Sequence, residues 1–229
     1  MPLLALLLTA AAGPVAAPHL PVTIDLTRAF GTRTPWRLAA TRGPDIPDPV
    51  MGEGVVPGTV RLCLGHPGGA CQSDLARLLT PPSGPDGFSD THDLFAARIV
   101  APRRRGPLLL LRVGSLHGGN GDQRIATALL AYDRAADRFV PVFTQQTGRN
   151  NNQEVRYIAT GPLAGDVIVA EPTSTAPFAY WITVSAPAAG ARPYRPLLRY
   201  RSTVRYGDGD SRAVIDAEMP AILRRLAHR

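Results

Sequence analysis

Prolines and glycines interrupt this chain too often for long helices. There are 23 prolines and 22 glycines in 229 residues. A proline inside a helix removes a hydrogen bond and collides with the preceding turn, and a glycine there loses more backbone freedom than any other residue. The apolar runs between these breakers have the length of strands, roughly 4 to 8 residues. The pattern predicts a mainly β fold, an antiparallel sheet or sandwich, with propeller-blade-like units as a second arrangement of the same strands. With 45% hydrophobic residues and 19% charged ones, the segment 18–229 has enough apolar material for a single β-rich domain.

From residue 94 onward the pattern is regular. Leu94–Val100, Leu108–Val113, Ile125–Tyr132, Arg138–Thr144, Glu154–Ala159, Val167–Glu171, Phe178–Ser185 and Leu197–Tyr206 read as strands separated by turn residues. Leu108–Leu111 and Val167–Val169 are apolar without alternation, as expected where both faces of a sheet are covered. In the last two strands Phe178, Tyr180, Ile182 and Val184, then Leu198, Tyr200, Val204 and Tyr206, alternate with outward residues. That alternation puts Arg199, Arg201 and Arg205 in a row on one face. Residues 31–93 read instead as a Pro/Gly-rich irregular arm, in which Val55–Leu64 is a strand and Ser73–Leu79 a short helix capped by Ser73.

The two ends carry different signals. MPLLALLLTAAAGPVAA, residues 1–17, has the apolar run and small residues of a secretory signal peptide, which predicts an exported, periplasmic or extracellular protein without a transmembrane anchor. At the other end a short helix is expected, with Pro220 in its first turn, Asp216 and Glu218 at its positive end, and Ile222, Leu223 and Leu226 as its apolar stripe.

Export agrees with the cysteines. Cys63 and Cys71 flank a Pro-Gly-Gly turn that lets the chain fold back, so a disulfide is predicted. Metal ligation by Cys63, His66 and Cys71 is the alternative, but its spacing matches no common zinc motif and a fourth ligand is missing.

The loops hold the chemistry. GSLHGGNGDQ, Gly114–Gln123, follows an apolar strand and offers Ser115, His117 and Asp122, the residue types of a hydrolytic triad, although the G-x-S-x-G turn is absent. Its glycines suit a wide turn that presents Asn120 and Asp122 to a ligand. Asn120 and Asp122, with Asp208 and Asp210 in the later YGDGDS, also supply the hard oxygen donors that calcium takes, without an EF-hand spacing; calcium is the one cofactor considered and none is required. His92 and Asp93, after the Gly/Pro-rich GPDGFSDT, read as loop and strand-entry residues in preference to an acid/base pair. Asn150, Asn151 and Asn152 occupy a turn whose side chains suit polar or carbohydrate contacts.

Net charge is +7, and all 25 basic positions are arginine. Guanidinium groups make bidentate contacts with carboxylates and phosphates, so an acidic protein or an anionic envelope component is the expected partner. No nucleic-acid motif accompanies the charge, and aromatic residues form only 6% of the chain. The reading that needs the least is an exported, non-catalytic β-rich binding or interaction module of the cell envelope. A hydrolase built from the 114–123 and 207–218 loops and a structural envelope component are the alternatives.

Overall fold

Among the described residues three larger antiparallel sheets and a C-terminal helix form layers, each covering the face left open by the one before. The computed structural model describes residues 18–72, 75, 79, 88, 90–103, 105–119, 121–148, 153–203 and 214–228; the signal-like segment 1–17 lies outside them. The first sheet has the order β1 (Val22–Asp25), β2 (Arg37–Arg42) and β5 (Val60–Gly65). Between β2 and β5 a small ribbon, β3 (Ile46–Pro47) with β4 (Val55–Val56), projects as an arm. A single-turn helix, α1 (Thr27–Phe30), follows β1 and ends on Gly31 in the left-handed region.

The second sheet is a meander of β6 (Asp93–Val100), β7 (Leu108–Gly114), β8 (Ile125–Asp133) and β9 (Arg138–Thr147). The third repeats the plan with β10 (Glu154–Tyr157), β11 (Val167–Pro172), β12 (Tyr180–Ala186) and β13 (Arg195–Arg201). Both keep strict sequence order, as a propeller blade does. No closed barrel is formed by the described residues.

The period of two within each strand explains the stacking. Leu109, Leu111 and Val113 of β7 point into a core shared with Leu26, Trp36, Leu38 and Leu64 of the N-terminal layer. Their neighbours Leu108 and Leu110 point the other way, into a core shared with Val167 and Val169 of β11. Ile168 and Ala170, between those valines, meet Ile215 and Ile222 of the terminal helix, α2 (Val214–Ala227). The two unbroken apolar runs are thus the strands with a layer on each side.

Each of the eight strands expected beyond residue 94 forms at least in part; the last ends at Arg201, and residues 204–206 of its expected span lie outside the described residues. Prolines mark two of the three described places where pairing slips. The register shift between Leu129 and Leu130 falls opposite Pro141 and Phe143, and the one between Val184 and Ser185 falls opposite Pro196 and Leu198. A residue without an N–H fits such bulges because the ladder is already broken there. Edge β9 is blunted by a side chain: the Gln72 amide donates to Phe139 O at 2.7 Å and accepts from Phe139 N at 3.0 Å.

Several expectations need correction. Part of the 31–93 segment is regular, since β2 and β5 complete the first sheet; Leu38 and Ala40 of β2 are buried, but its alanines gave little strand signal. Val55–Leu64 is two strands, because Gly58 sits against the other side of the arm's base, where a Cβ would lie 2.1 Å from Pro44 O. In the Ser73–Leu79 segment only Leu75 and Leu79 are described, both helical and buried. Phe178 precedes β12 and is exposed. The helix begins before the turn expected to hold Pro220, which instead lies in its interior. Burial of Val214 and Ile215 against the third sheet and the acceptance of Ile215 N by Glu154 Oε2 (3.0 Å) explain the earlier start.

Two outer fastenings complete the fold. Cys63 and Cys71 form the predicted disulfide with Cα atoms 4.9 Å apart, which rules out their service as metal ligands. His66, between them, donates through Nδ1 to Pro35 O at 2.8 Å and packs on Trp36 at 4.5 Å between ring centroids. Asp137 accepts from Trp36 Nε1 at 3.0 Å and from the Tyr132 hydroxyl at 2.5 Å. These two donors hold its carboxyl below the usual carboxylate range. At the far side Arg156 of β10 bonds Glu154 on its own strand and Asp216 on α2, and Tyr200 donates to the buried Glu218 at 2.7 Å.

Candidate ligand cleft

Strand pairing sets one end of the second sheet as a platform for loops. Asp93, Gly114, Ile125 and Thr147 lie in one row across β6, β7, β8 and β9. The His92 backbone, the Ser115–Arg124 loop and the loop after Thr147 therefore leave the sheet side by side, about 5 Å per strand apart. The arm faces the same end, since a Cβ on Gly119 would come 3.3 Å from Val50 Cγ1.

The Ser115–Arg124 loop is closed twice. Ser115 N donates to Arg124 O at 2.9 Å, and inside that ring Gly118 N donates to Asp122 O at 2.8 Å. Gly121 takes φ of +80°, as the tight inner turn requires. Ser115 Oγ donates to Leu116 O at 2.8 Å and accepts from Arg124 N at 3.2 Å. His117 is exposed and bonds Gly121 O through Nδ1 at 3.1 Å. The serine hydrogen thus goes to a carbonyl and not to an imidazole, and the loop's polar side chains hold its own shape.

Between this loop, the arm and the segment before β6 lies a cleft of about 720 Å³. Ile46 and Pro49 of the arm, Phe88 and Leu116 give it apolar walls; Asp90, His92, Asp122 and Arg124 supply the ionisable groups. His92 is buried. Its backbone N donates to Gly114 O at 2.8 Å, and its ring Nδ1 bonds Pro57 O at 2.9 Å. A carbonyl only accepts, so Nδ1 carries the hydrogen and Nε2 is the nitrogen left with a lone pair in the neutral ring.

Gln123 braces the floor. Its Nε2 donates to Asp93 Oδ2 at 2.7 Å and to Ser115 O at 2.6 Å, while Arg42 stands 3.7 Å from the other oxygen of Asp93. Gly114 is required beneath it, because a Cβ there would lie 2.8 Å from Gln123 Nε2 and 2.7 Å from Phe95 Cε2. The carboxylate and amide lock each other and so fix the cleft's rim.

The sequence candidates divide accordingly. Ser115 and Asp122 line the cleft. Asn120, Asn150, Asn151, Asn152, Arg205, Asp208 and Asp210 lie outside the described residues, so calcium ligation by those turns has no geometry to judge; among the described residues no cluster of three metal-ligating side chains forms. Arg199 and Arg201 share one face of β13, as the alternation predicted. Arg199 stacks over Trp181 at 4.9 Å, and Arg201 bonds the Pro177 carbonyl.

Sequence reasoning missed Asp90, Gln123 and Arg124, and treated His92 as a strand-start residue without a ligand-facing role. The available signal was the density of polar residues in DTHD and DQR on either side of an apolar hairpin. The fold and cleft define a layered antiparallel β protein with a ligand-sized opening at the loop end of its central sheet. The chain matches no protein family, no curated protein and no solved structure.

Proposed function

We propose that the protein is an exported, non-catalytic binding module of the cell envelope whose ligand occupies the cleft beside the Ser115–Arg124 loop. The observation that carries this reading is the cleft itself. Its volume lies within the range of small-molecule sites, roughly 300 to 1,000 Å³, and it combines apolar walls with a few convergent polar groups, as such sites do. Bracing of the rim by Gln123 and Asp93 supports a preformed site, which loses less entropy on binding. The apolar leader and the disulfide support an oxidising compartment. A solvent-facing arginine pair on β13 supports an acidic protein or anionic envelope component as a larger partner.

The experiment is a melting-temperature screen of envelope-derived sugars, amino acids and short peptides against the mature chain and the double variant Asp122→Asn/Arg124→Gln. A ligand of the cleft raises the wild-type melting temperature and loses most of that effect in the variant. Hits that stabilise both proteins equally, or no hit at all across the three classes, reject the reading.

One observation favours a hydrolytic alternative. His92 lines the cleft, and with Nδ1–H held by a backbone carbonyl its Nε2 is the lone-pair nitrogen that a general base would use. Turnover of p-nitrophenyl esters that disappears in His92→Gln while the fold is retained establishes it; equal rates in the two proteins dismiss it.

A further inference from the structure

A second opening, of about 150 Å³, lies at the opposite end of the central sheet, among the turns that join β6 to β7 and β8 to β9. Arg105, Arg134, Tyr132 and Gly106 contribute to its wall. Arg105 closes the sequence run Arg103–Arg105, of which Arg103 and Arg105 are described.

The Arg105 side chain is in an unusual position for a cation. Both of its terminal nitrogens, Nη1 and Nη2, are closed to solvent and have no hydrogen-bond partner. The Arg105 guanidinium carbon lies 5.8 Å from the Tyr194 ring centroid, and the Tyr194 hydroxyl already donates to Gly165 O at 2.9 Å. A buried guanidinium without acceptors is strongly unfavourable unless an anion compensates it. Loss of hydration lowers its pKa accordingly.

Asp166 acts on Tyr194 from the neighbouring layer, but no described carboxylate bonds Arg105, and the groups on the opening's own side add positive charge. Arg134 lies against Gly31, where a Cβ would come 3.0 Å from its Nη2. Arg33 and Arg134 both act electrostatically on the Tyr132 phenol. The acids nearby have other work: Asp133 Oδ1 accepts from Ala135 N at 2.9 Å, and Asp137 is held by Trp36 and Tyr132.

We propose that this opening is an anion site that takes a single phosphate group, free or borne on a larger molecule, between Arg105 and Arg134. The opening is large enough to hold one tetrahedral oxyanion beside water. Arg105 reaches it by rotation of its outer side-chain bonds, exchanging the contact with Tyr194 for the paired N–H···O bonds that a guanidinium makes to phosphate. The site is independent of the large cleft.

The test is thermal melting of the mature chain at pH 7 and fixed ionic strength, with chloride replaced in turn by phosphate, sulfate or acetate. Phosphate at about twenty times its Kd raises the wild-type melting temperature by about 4 °C. Arg105→Met, which keeps the packing on Tyr194, abolishes the shift, and Arg134→Gln reduces it by at least half. Should Arg105→Met fail to fold, Arg105→Lys, which keeps the charge and loses the fork, takes its place with the same expected loss. Equal shifts in wild type and variants, or an acetate shift as large as that of phosphate, overturn the proposal, as does a wild-type protein that neither shifts nor broadens the phosphorus resonance of added phosphate. Vesicles of phosphatidylcholine with and without phosphatidic acid separate the sources. Sedimentation with the acidic vesicles that depends on Arg105 assigns a lipid-borne phosphate, and a phosphate shift without such sedimentation assigns the free ion.

Discussion

The two outer layers cover the same kind of surface and are fastened by different means. The N-terminal layer lies on Leu109, Leu111 and Val113 and is held by aromatic packing and a covalent bond: Phe139 meets Phe30, Trp36 and Tyr132 at ring-centroid distances of 4.9, 5.4 and 5.4 Å, and Cys63–Cys71 closes the loop beside them. The C-terminal helix lies on Ile168, Ala170 and Ile182 and is held by aliphatic contacts and charges, chiefly Arg156 between Glu154 and Asp216. A sheet has neighbours of its own through its ladder, whereas a single helix touches the stack only along one stripe. The helix should therefore be the more easily released layer.

The largest effect comes from truncating each apolar anchor. Phe139→Ala, at a side chain with no exposure, should cost about 3 to 5 kcal/mol, and Ile222→Ala on the helix should sit near 2 kcal/mol because the helix can resettle over the gap. Denaturant melts measure both; an Ile222→Ala cost equal to that of Phe139→Ala breaks the contrast.

Next in size is the disulfide. Replacing Cys63 and Cys71 by serine should lower stability by about 2 to 3 kcal/mol, the chain-entropy value for so short a loop. Amide exchange should quicken in β2 and β5 and stay unchanged in α2. Acceleration of both alike would mean that the two covers unfold as one unit.

Arg156→Gln should cost about 1 kcal/mol, since its partners are partly exposed and screened. The signature is salt dependence: high salt should release α2 amides in wild type and change nothing further in the variant.

The smallest effect is confined to acid. The two donors on Asp137 lower its carboxyl pKa in the folded chain, so its contribution is complete above the unfolded value, about 4, and fades as pH falls through the lower folded value. The melting temperature of wild type should exceed that of Asp137→Asn by a constant margin from pH 6 to 8, and the margin should shrink below about pH 4. A margin that persists into stronger acid removes these hydrogen bonds from the account.

The same contrast shows what a linear sequence can convey. Leu108–Leu111 and Val167–Val169 announced a layer on each side because burial on both faces leaves no polar positions to alternate. Leu198 and Tyr200 announced one buried face. Arg37–Arg42 gave no such signal: its inward residues are Leu38 and Ala40, and a small alanine suffices where a neighbouring sheet comes close. The start of α2 was hidden for another reason, since Glu154, sixty-one residues earlier, accepts the Ile215 N–H. The cleft was half legible. Ser115 and Asp122 stood out among glycines, but His92 gains its orientation from Pro57 O, and the rim depends on Asp93 meeting Gln123 and Arg42. Such pairings are settled by strand register, and local composition carries no trace of them.

The placement of the indoles gives the molecule a built-in optical readout. Only two tryptophans occur, and they fall on different sheets: Trp36 is 5% exposed within the N-terminal layer, and Trp181 is 38% exposed on the third sheet under the Arg199 guanidinium. Emission from Trp36 should lie toward the blue and that from Trp181 toward the red, with only the latter quenched efficiently by iodide or acrylamide. Single Trp→Phe variants would then turn each end of the stack into a separately visible colour, so loosening of one layer can be followed without labelling the other.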